Sequence, residues 1–196
     1  LIVCEDASGI TVGIPDWVEH FCWCEIDEKL GDKAACIPRR SGGIRDFGFW
    51  FAGQDTSIDM IVSLDDDVLP IAGVDFLAEH WQALEAPRSL KWWPLFPGFR
   101  LRGEPYADGE AKTMLNLGLW HGFPDVDAYS QLCDPDCEKT FGAYDAVQSP
   151  RLIPPGMYAP LCGMNVAFRR EVAPFYYFPP LPPGYKRFDD IWCGLI

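Results

Sequence analysis

The residues with the clearest chemical potential are Asp65, Asp66 and Asp67, which close the run Ser63-Leu64-Asp65-Asp66-Asp67 directly after an apolar stretch. Three carboxylates at the end of a hydrophobic strand repel one another unless something compensates them. Side chains alternate along a strand, so Asp65 and Asp67 share a face while Asp66 points away. Such a pair suits a hard divalent cation, Mg2+ or Mn2+, which takes oxygen ligands and keeps positions open for phosphate oxygens. An ion held there can act as a Lewis acid on a departing diphosphate. A solvated acidic turn after the strand is the structural alternative. An EF-hand loop is excluded, because the positions that would need Gly and Glu hold Pro70 and Phe76.

Positive charge is concentrated just upstream. Five of the sixteen Lys and Arg residues lie between 29 and 45: Lys29, Lys33, Arg39, Arg40 and Arg45. The chain sets 16 Lys+Arg against 29 Asp+Glu, a formal net charge of −13, so binding an anion requires such a local excess. Ser41-Gly42-Gly43 would open a helix with free backbone N–H groups for an anion, although its glycines match neither the P-loop nor G-x-G-x-x-G. Taken alone, Arg39-Arg40 reads as a solvated surface pair. A second acidic pair, Asp189-Asp190, precedes Ile191-Trp192. It fits either the first turn of a helix, where capping and the macrodipole favour Asp, or a carboxylate facing a sugar as base or charge stabiliser. Asp125 and Asp127 invite the same two readings and lean structural. His20, His80 and His121 are scattered and read as packing or surface residues.

The elements that must position these groups follow from the composition and the apolar pattern. With 196 residues, 48% hydrophobic and 23% charged, the chain has the make-up of a globular domain and not of a disordered segment. Its acidity excludes broad nucleic-acid binding, and no apolar run approaches the ~20 residues that span a bilayer, so it reads as soluble. It opens without Met on an apolar run and ends as abruptly, so both ends read as cuts through a fold. Eight cysteines are expected as free thiols, since Cys packs as a small hydrophobe. Zinc is the weaker reading, because Cys133-x-x-x-Cys137 lacks a second pair at finger spacing.

Residues 1–5 read as a strand ending at Asp6, and Phe21–Ile26 as a second short strand. Ser41 is expected to cap a helix running to about Ala52, with Ile44, Phe47, Phe51 and Trp50 facing inward. The run 58–64 reads as a buried strand and 74–85 as a helix stopping near Pro87. This alternation implies an α/β architecture with a largely parallel sheet flanked by helices. Nine of the 18 prolines fall between Pro150 and Pro183, so that stretch is expected to be mostly loop, with a strand at Met164–Phe168 followed by polar Arg169-Arg170-Glu171. Residues 178–184 could form polyproline II.

The order LIVCED, GDKAACIPRRSGGIRDFGF, SLDDDVLP, RLRGEP, GLWHGFPDVDA, CGMNVAFRRE and FDDIWCG resembles the reversibly glycosylated polypeptides, or UDP-arabinopyranose mutases, of glycosyltransferase family 75. The resemblance implies a single GT-A-like nucleotide-sugar-binding domain over 1–196, lacking the family's N-terminal strand and C-terminal helices. It implies a UDP-sugar ligand, with Mn2+ or Mg2+ at Asp65, Asp66 and Asp67. Asp6, Lys33, Arg40, Arg45, Asp65, Asp66 and Asn165 are then expected to line the nucleotide-sugar site, and Asp189, Asp190 and Arg102 to serve catalysis. The implied activity is interconversion of UDP-arabinopyranose and UDP-arabinofuranose through cleavage and re-formation of the anomeric C–O bond. The alternatives are a glycosyltransferase with another acceptor, or a UDP-sugar-binding subunit without turnover. The last is kept because the stretch matching the family's D-P-Y-R segment, Trp92 to Phe99, contains no arginine; Arg100 is the nearest. The family also implies a homo- or hetero-oligomer, in the cytoplasm or on the cytosolic face of the Golgi.

Overall fold

The computed structural model describes residues 1–86, 88–90, 109–118, 132–133, 153, 158–180, 191 and 193–194. β1 (Ile2–Cys4) pairs in parallel with β2 (Glu19–Phe21), Val3 lying opposite His20. Helix α1 (Trp23–Leu30) follows at once, then a 3₁₀ turn at Gly31–Cys36. The expected strand over Phe21–Ile26 is therefore a helix from Trp23 onward. The Glu25 carboxylate reaches back to accept from the Cys22 backbone N–H at 2.8 Å, which closes a capping box with Cys in the place of Ser or Thr. Cys22, Ile26 and Leu30, four residues apart, then lie on one face, and the first two are wholly buried.

Ser41 caps as expected, accepting from the Gly43 N–H at 3.3 Å, but it starts a 3₁₀ turn at Gly42–Ile44 that leads into α2 (Arg45–Gly53). This helix is buried on two sides. Ile44 and Phe47 pack with Phe21, Ile26, Ala34 and Ile37. Phe49 and Ala52 pack with Ile61, Val166, Phe168, Tyr176 and Phe178. Trp50 is 41% exposed, so it does not face inward, and Phe49 takes the buried position instead.

The central sheet places β7 (Asn165–Arg169) between β3 (Met60–Leu64) and β6 (Leu115–Leu117), antiparallel to both. Helix α3 (Phe76–Glu85) is capped by Asp75, whose carboxylate accepts from Ala78 N–H at 3.0 Å, and packs on β6 and β7. A further antiparallel pair joins β4 (Arg88–Leu90) to β5 (Gly109–Ala111). The architecture is mixed α/β, but the expected mostly parallel sheet is not what the described strands form: one pair is parallel and three are antiparallel. The reason is topological. β7 arrives late in the chain and enters the middle of the sheet running against β3, and no periodicity near β3 could announce it.

Arg169, expected as part of a polar segment after the strand, is 7% exposed inside β7. Its guanidinium donates to the carbonyls of Thr113 and Leu84 at 3.0 and 2.8 Å and meets the Glu85 carboxylate at 2.6 Å. A cation at the last carbonyls of α3 also suits the helix dipole. The strand 1–5, the strand 58–64 and the helix 74–85 stand close to where the pattern put them. Residues 178–180 have no regular structure; the rest of the anticipated polyproline stretch lies outside the described residues.

Candidate functional site

The end of β3 and the start of α2 meet at one ion pair. Arg45 Nη2 donates to Asp65 Oδ1 at 2.5 Å, with both side chains about three-quarters buried. Nε donates to the Gly42 carbonyl at 2.7 Å, and the guanidinium lies 5.8 Å from the Phe178 ring centre. Gly163 admits this arrangement. A Cβ there would stand 2.9 Å from Arg45 Cδ and Cζ, so the arginine side chain would have to leave this position. The remaining nitrogen, Nη1, is buried and has no hydrogen-bond acceptor among the described residues. An arginine donor held out of water and unspent is costly, on the order of 1–3 kcal/mol or more. A ligand oxygen would satisfy it.

Beside this pair, Asp65 N–H donates to the Met164 carbonyl at 3.2 Å, and Val68 N–H donates to the Asp65 carbonyl at 3.3 Å, so the acidic run turns sharply out of the sheet. Asp66 and Asp67 are exposed in that turn. Among the described residues the three aspartates are not drawn together as a compact ligand set; the one group of three close His, Cys, Asp or Glu donors is Cys22, Cys24 and Glu25. The aspartates still offer hard oxygen donors at a strand end, two of them open to solvent. That fits a cation which keeps most of its water and meets phosphate through its open positions.

Asp6 stands just past the end of β1. Its Oδ1 accepts from Trp23 Nε1 at 2.7 Å and its Oδ2 from Ser41 N–H at 3.0 Å, so the carboxylate ties the end of β1 to α1 and to the turn before α2. The basic segment divides. Lys29 Nζ lies 5.4 Å from the Phe21 ring centre, Arg39 pairs with Asp27, and the Arg39 and Arg40 guanidinium carbons stand 5.3 and 5.8 Å from the Trp23 ring centre. Arg40 adopts a left-handed backbone (φ 57°), which holds the turn at Arg40-Ser41. Lys33 is exposed on the Gly31–Cys36 turn. Of the expected basic ligands, Arg45 alone is ion-paired with the aspartate run among the described residues.

Asn165 sits opposite Leu64 in the register, one residue from the acidic turn. Its Oδ1 meets His80 Nε2 at 2.9 Å, and His80 Nδ1 meets Asn116 Nδ2 at 2.8 Å. A neutral ring with its proton on Nε2 satisfies both contacts. His80, 4% exposed, is thus the packing residue expected, but one that fixes the Asn165 amide. Gly118 closes against that amide, since a Cβ there would fall 2.6 Å from Asn165 Cγ. Asn116, Gly118 and Gly163 were not anticipated; nothing local marks them, because their partners lie on other elements. Arg102, Asp125, Asp127, His121, Asp189, Asp190 and Cys137 lie outside the described residues. Seven cysteines are described, and all are free thiols as expected.

The whole arrangement is that of a mixed α/β protein that collects acidic groups and a part-buried arginine at strand ends, where α/β proteins bind charged ligands. The chain belongs to the reversibly glycosylated polypeptide family, whose sequence profile matches residues 1–196. It is 32% identical to probable UDP-arabinopyranose mutase 4 of Arabidopsis thaliana, over 99% of this chain and 56% of that protein. Probable UDP-arabinopyranose mutase 2 of Solanum tuberosum is 34% identical over the same shares, 99% and 56%. UDP-arabinopyranose mutase 3 of Arabidopsis thaliana is 34% identical over 87% of this chain and 49% of its own. The chain spans about half the length of the curated relatives it matches. No helix among the described residues is long and apolar enough to cross a membrane.

Proposed function

We propose that this chain carries the UDP-sugar site of a divalent-metal-dependent mutase that interconverts UDP-arabinopyranose and UDP-arabinofuranose. The observation that supports it most directly is Arg45, a part-buried cation beside Asp65 with an unspent Nη1 donor at the strand end. A diphosphate oxygen is an acceptor of the right charge for that donor. The names of the relatives, all UDP-arabinopyranose mutases, supply the sugar. The GT-A-like arrangement implied by the family belongs to the same proposal.

Asp65, Asp66 and Asp67 would hold Mn2+ or Mg2+, and a divalent cation bound there supplies positive charge to the diphosphate oxygens. The protein's own part is to orient the diphosphate through Arg45, with Arg102 as a second cation and Lys33 and Arg40 as further basic residues of the site. When the anomeric C–O bond breaks, its electron pair leaves with the diphosphate and the sugar gains positive character. Asp189 or Asp190 balances that charge. The diphosphate oxygen then returns to the anomeric carbon after the sugar ring has reorganised, so no atom is lost or gained. Asp6 and Asn165 act as positioning residues for the nucleotide side, through the Ser41 turn and the amide held by His80.

Incubation with UDP-arabinopyranose and Mn2+, followed by separation of the products, tests this reading. Furanose product supports the mutase. Free UDP or a labelled acceptor replaces it with transfer or hydrolysis. Saturable binding without product replaces it with a binding subunit, the reading favoured by the absence of arginine from Trp92 to Phe99.

A further inference from the structure

A second cluster lies at the β2–α1 junction and has no part in the chemistry above. Cys22 and Cys24 present their sulfurs 2.6 Å apart, and Cys24 Sγ is 3.5 Å from Glu25 Oε2. The donor atoms of Cys22, Cys24 and Glu25 all lie within 4.8 Å of one another. Cys22 is fully buried, Cys24 is exposed, and the Glu25 carboxylate is fixed by its bond to the Cys22 N–H. A carboxylate has two oxygens with several lone pairs, so it can cap the helix and still coordinate. We propose that Cys22, Cys24 and Glu25 form a binding site for a thiophilic divalent cation of the zinc class, distinct from the hard-cation site expected at the aspartates.

Three features support this choice. Two sulfurs and one carboxylate oxygen are a borderline-soft donor set, which selects zinc over magnesium or manganese. Three protein donors leave one tetrahedral position for water, facing the solvent that Cys24 already meets. The donors are already gathered at the first turn of α1, with the Glu25 carboxylate held by the Cys22 N–H. Without a cation, the neighbouring sulfur and carboxylate push the Cys24 thiol up to about 11, so uptake of the metal releases protons. Zinc–sulfur bonds near 2.3 Å place tetrahedral sulfurs about 3.8 Å apart. Cys24, on the solvent side, can rotate outward to that spacing while Cys22 stays in place.

The metal would fasten β2 to α1 on either side of Trp23, whose indole holds Asp6. The proposal stands independently of the UDP-sugar reading, since it uses none of the same residues as ligands. The test is a titration of the full chain, fully reduced and without air, with Cd2+ as a zinc-class probe. The readout is the ultraviolet sulfur-to-cadmium charge-transfer absorbance, to which aspartates are silent. One saturating equivalent with proton release is expected, and its loss in Cys24→Ser, an exposed substitution whose far-ultraviolet circular dichroism should match that of the parent. Glu25→Gln, which retains a capping oxygen, should weaken uptake at least about tenfold. Equal absorbance in the parent and in Cys24→Ser would place the metal on other thiols and overturn the proposal, as would the absence of any charge-transfer band in the parent.

Discussion

Arg45 is the residue on which the site turns, because its fork is used twice and left unused once. Nε and Nη2 are bonded to Gly42 and Asp65, while Nη1 remains buried without an acceptor among the described residues. Arg45→Lys keeps the charge but loses this planar geometry. A charge-assisted hydrogen bond contributes about 1.5–3 kcal/mol, so UDP affinity measured by calorimetry should fall about tenfold or more. Gly163→Ala should produce a similar fall without touching a charge, because the new methyl collides with Arg45 Cδ and Cζ. Unchanged affinity in both variants would mean that the unspent donor does not meet the ligand. The acidic run and the basic segment were legible from residue type, whereas Asn165 was expected only from the family resemblance. Which basic residue reaches Asp65 was not legible, since Arg39, Arg40 and Arg45 differ only in what the tertiary fold sets opposite them: Asp27 and Trp23 for the first two, Asp65 for the third.

At the scale of elements, α1 shows how a short apolar run is decided by its cap. Phe21-Cys22-Trp23-Cys24 is a short continuous apolar run that fits a buried strand, and only Glu25, three residues after Cys22, marks a helix start. The hydrogen bonds from the Cys22 thiol and backbone hold the Glu25 carboxyl down to about 2 from an ordinary 4.5. Its folded value is depressed, so its contribution is complete above 4.5 and is lost as pH falls through about 2. Glu25→Ala should lower stability by about 1 kcal/mol at neutral pH, and urea midpoints of parent and variant should converge as pH approaches 2. A gap that persists there would mean the side chain acts by packing. α3 carries the companion case: Asp75→Ala removes the bond to Ala78 N–H and should also cost about 1 kcal/mol in urea unfolding. Its helical spacing was visible in the sequence, but the helix was expected from Val74, which passes over the Asp75 cap. β7 was visible as a strand, but its place between β3 and β6 was not, because pairing across a hundred residues leaves no local trace.

For the whole molecule, α2 is the member shared by both apolar clusters. Phe47 belongs to one, with Phe21 at 4.9 Å between ring centres, and Phe49 belongs to the other, with Phe168 at 5.2 Å. Asp46, buried on the same helix, accepts from Phe178 N–H at 3.0 Å. Because Arg45 opens the same helix, the core and the site share one support. Phe49→Ala should cost about 3–5 kcal/mol and lower UDP binding in step with the folded fraction, which thermal unfolding and calorimetry together would show. Retained binding at full loss of the cooperative transition would uncouple core from site. The central claim is that the aspartate run holds a divalent cation through which a UDP-sugar is bound. It is tested most directly by titrating UDP into the full chain with and without Mn2+, and into Asp65→Asn/Asp67→Asn. Mn2+-dependent binding is predicted in the parent, and its loss in the variant. Metal-dependent binding of equal strength in the variant would contradict it.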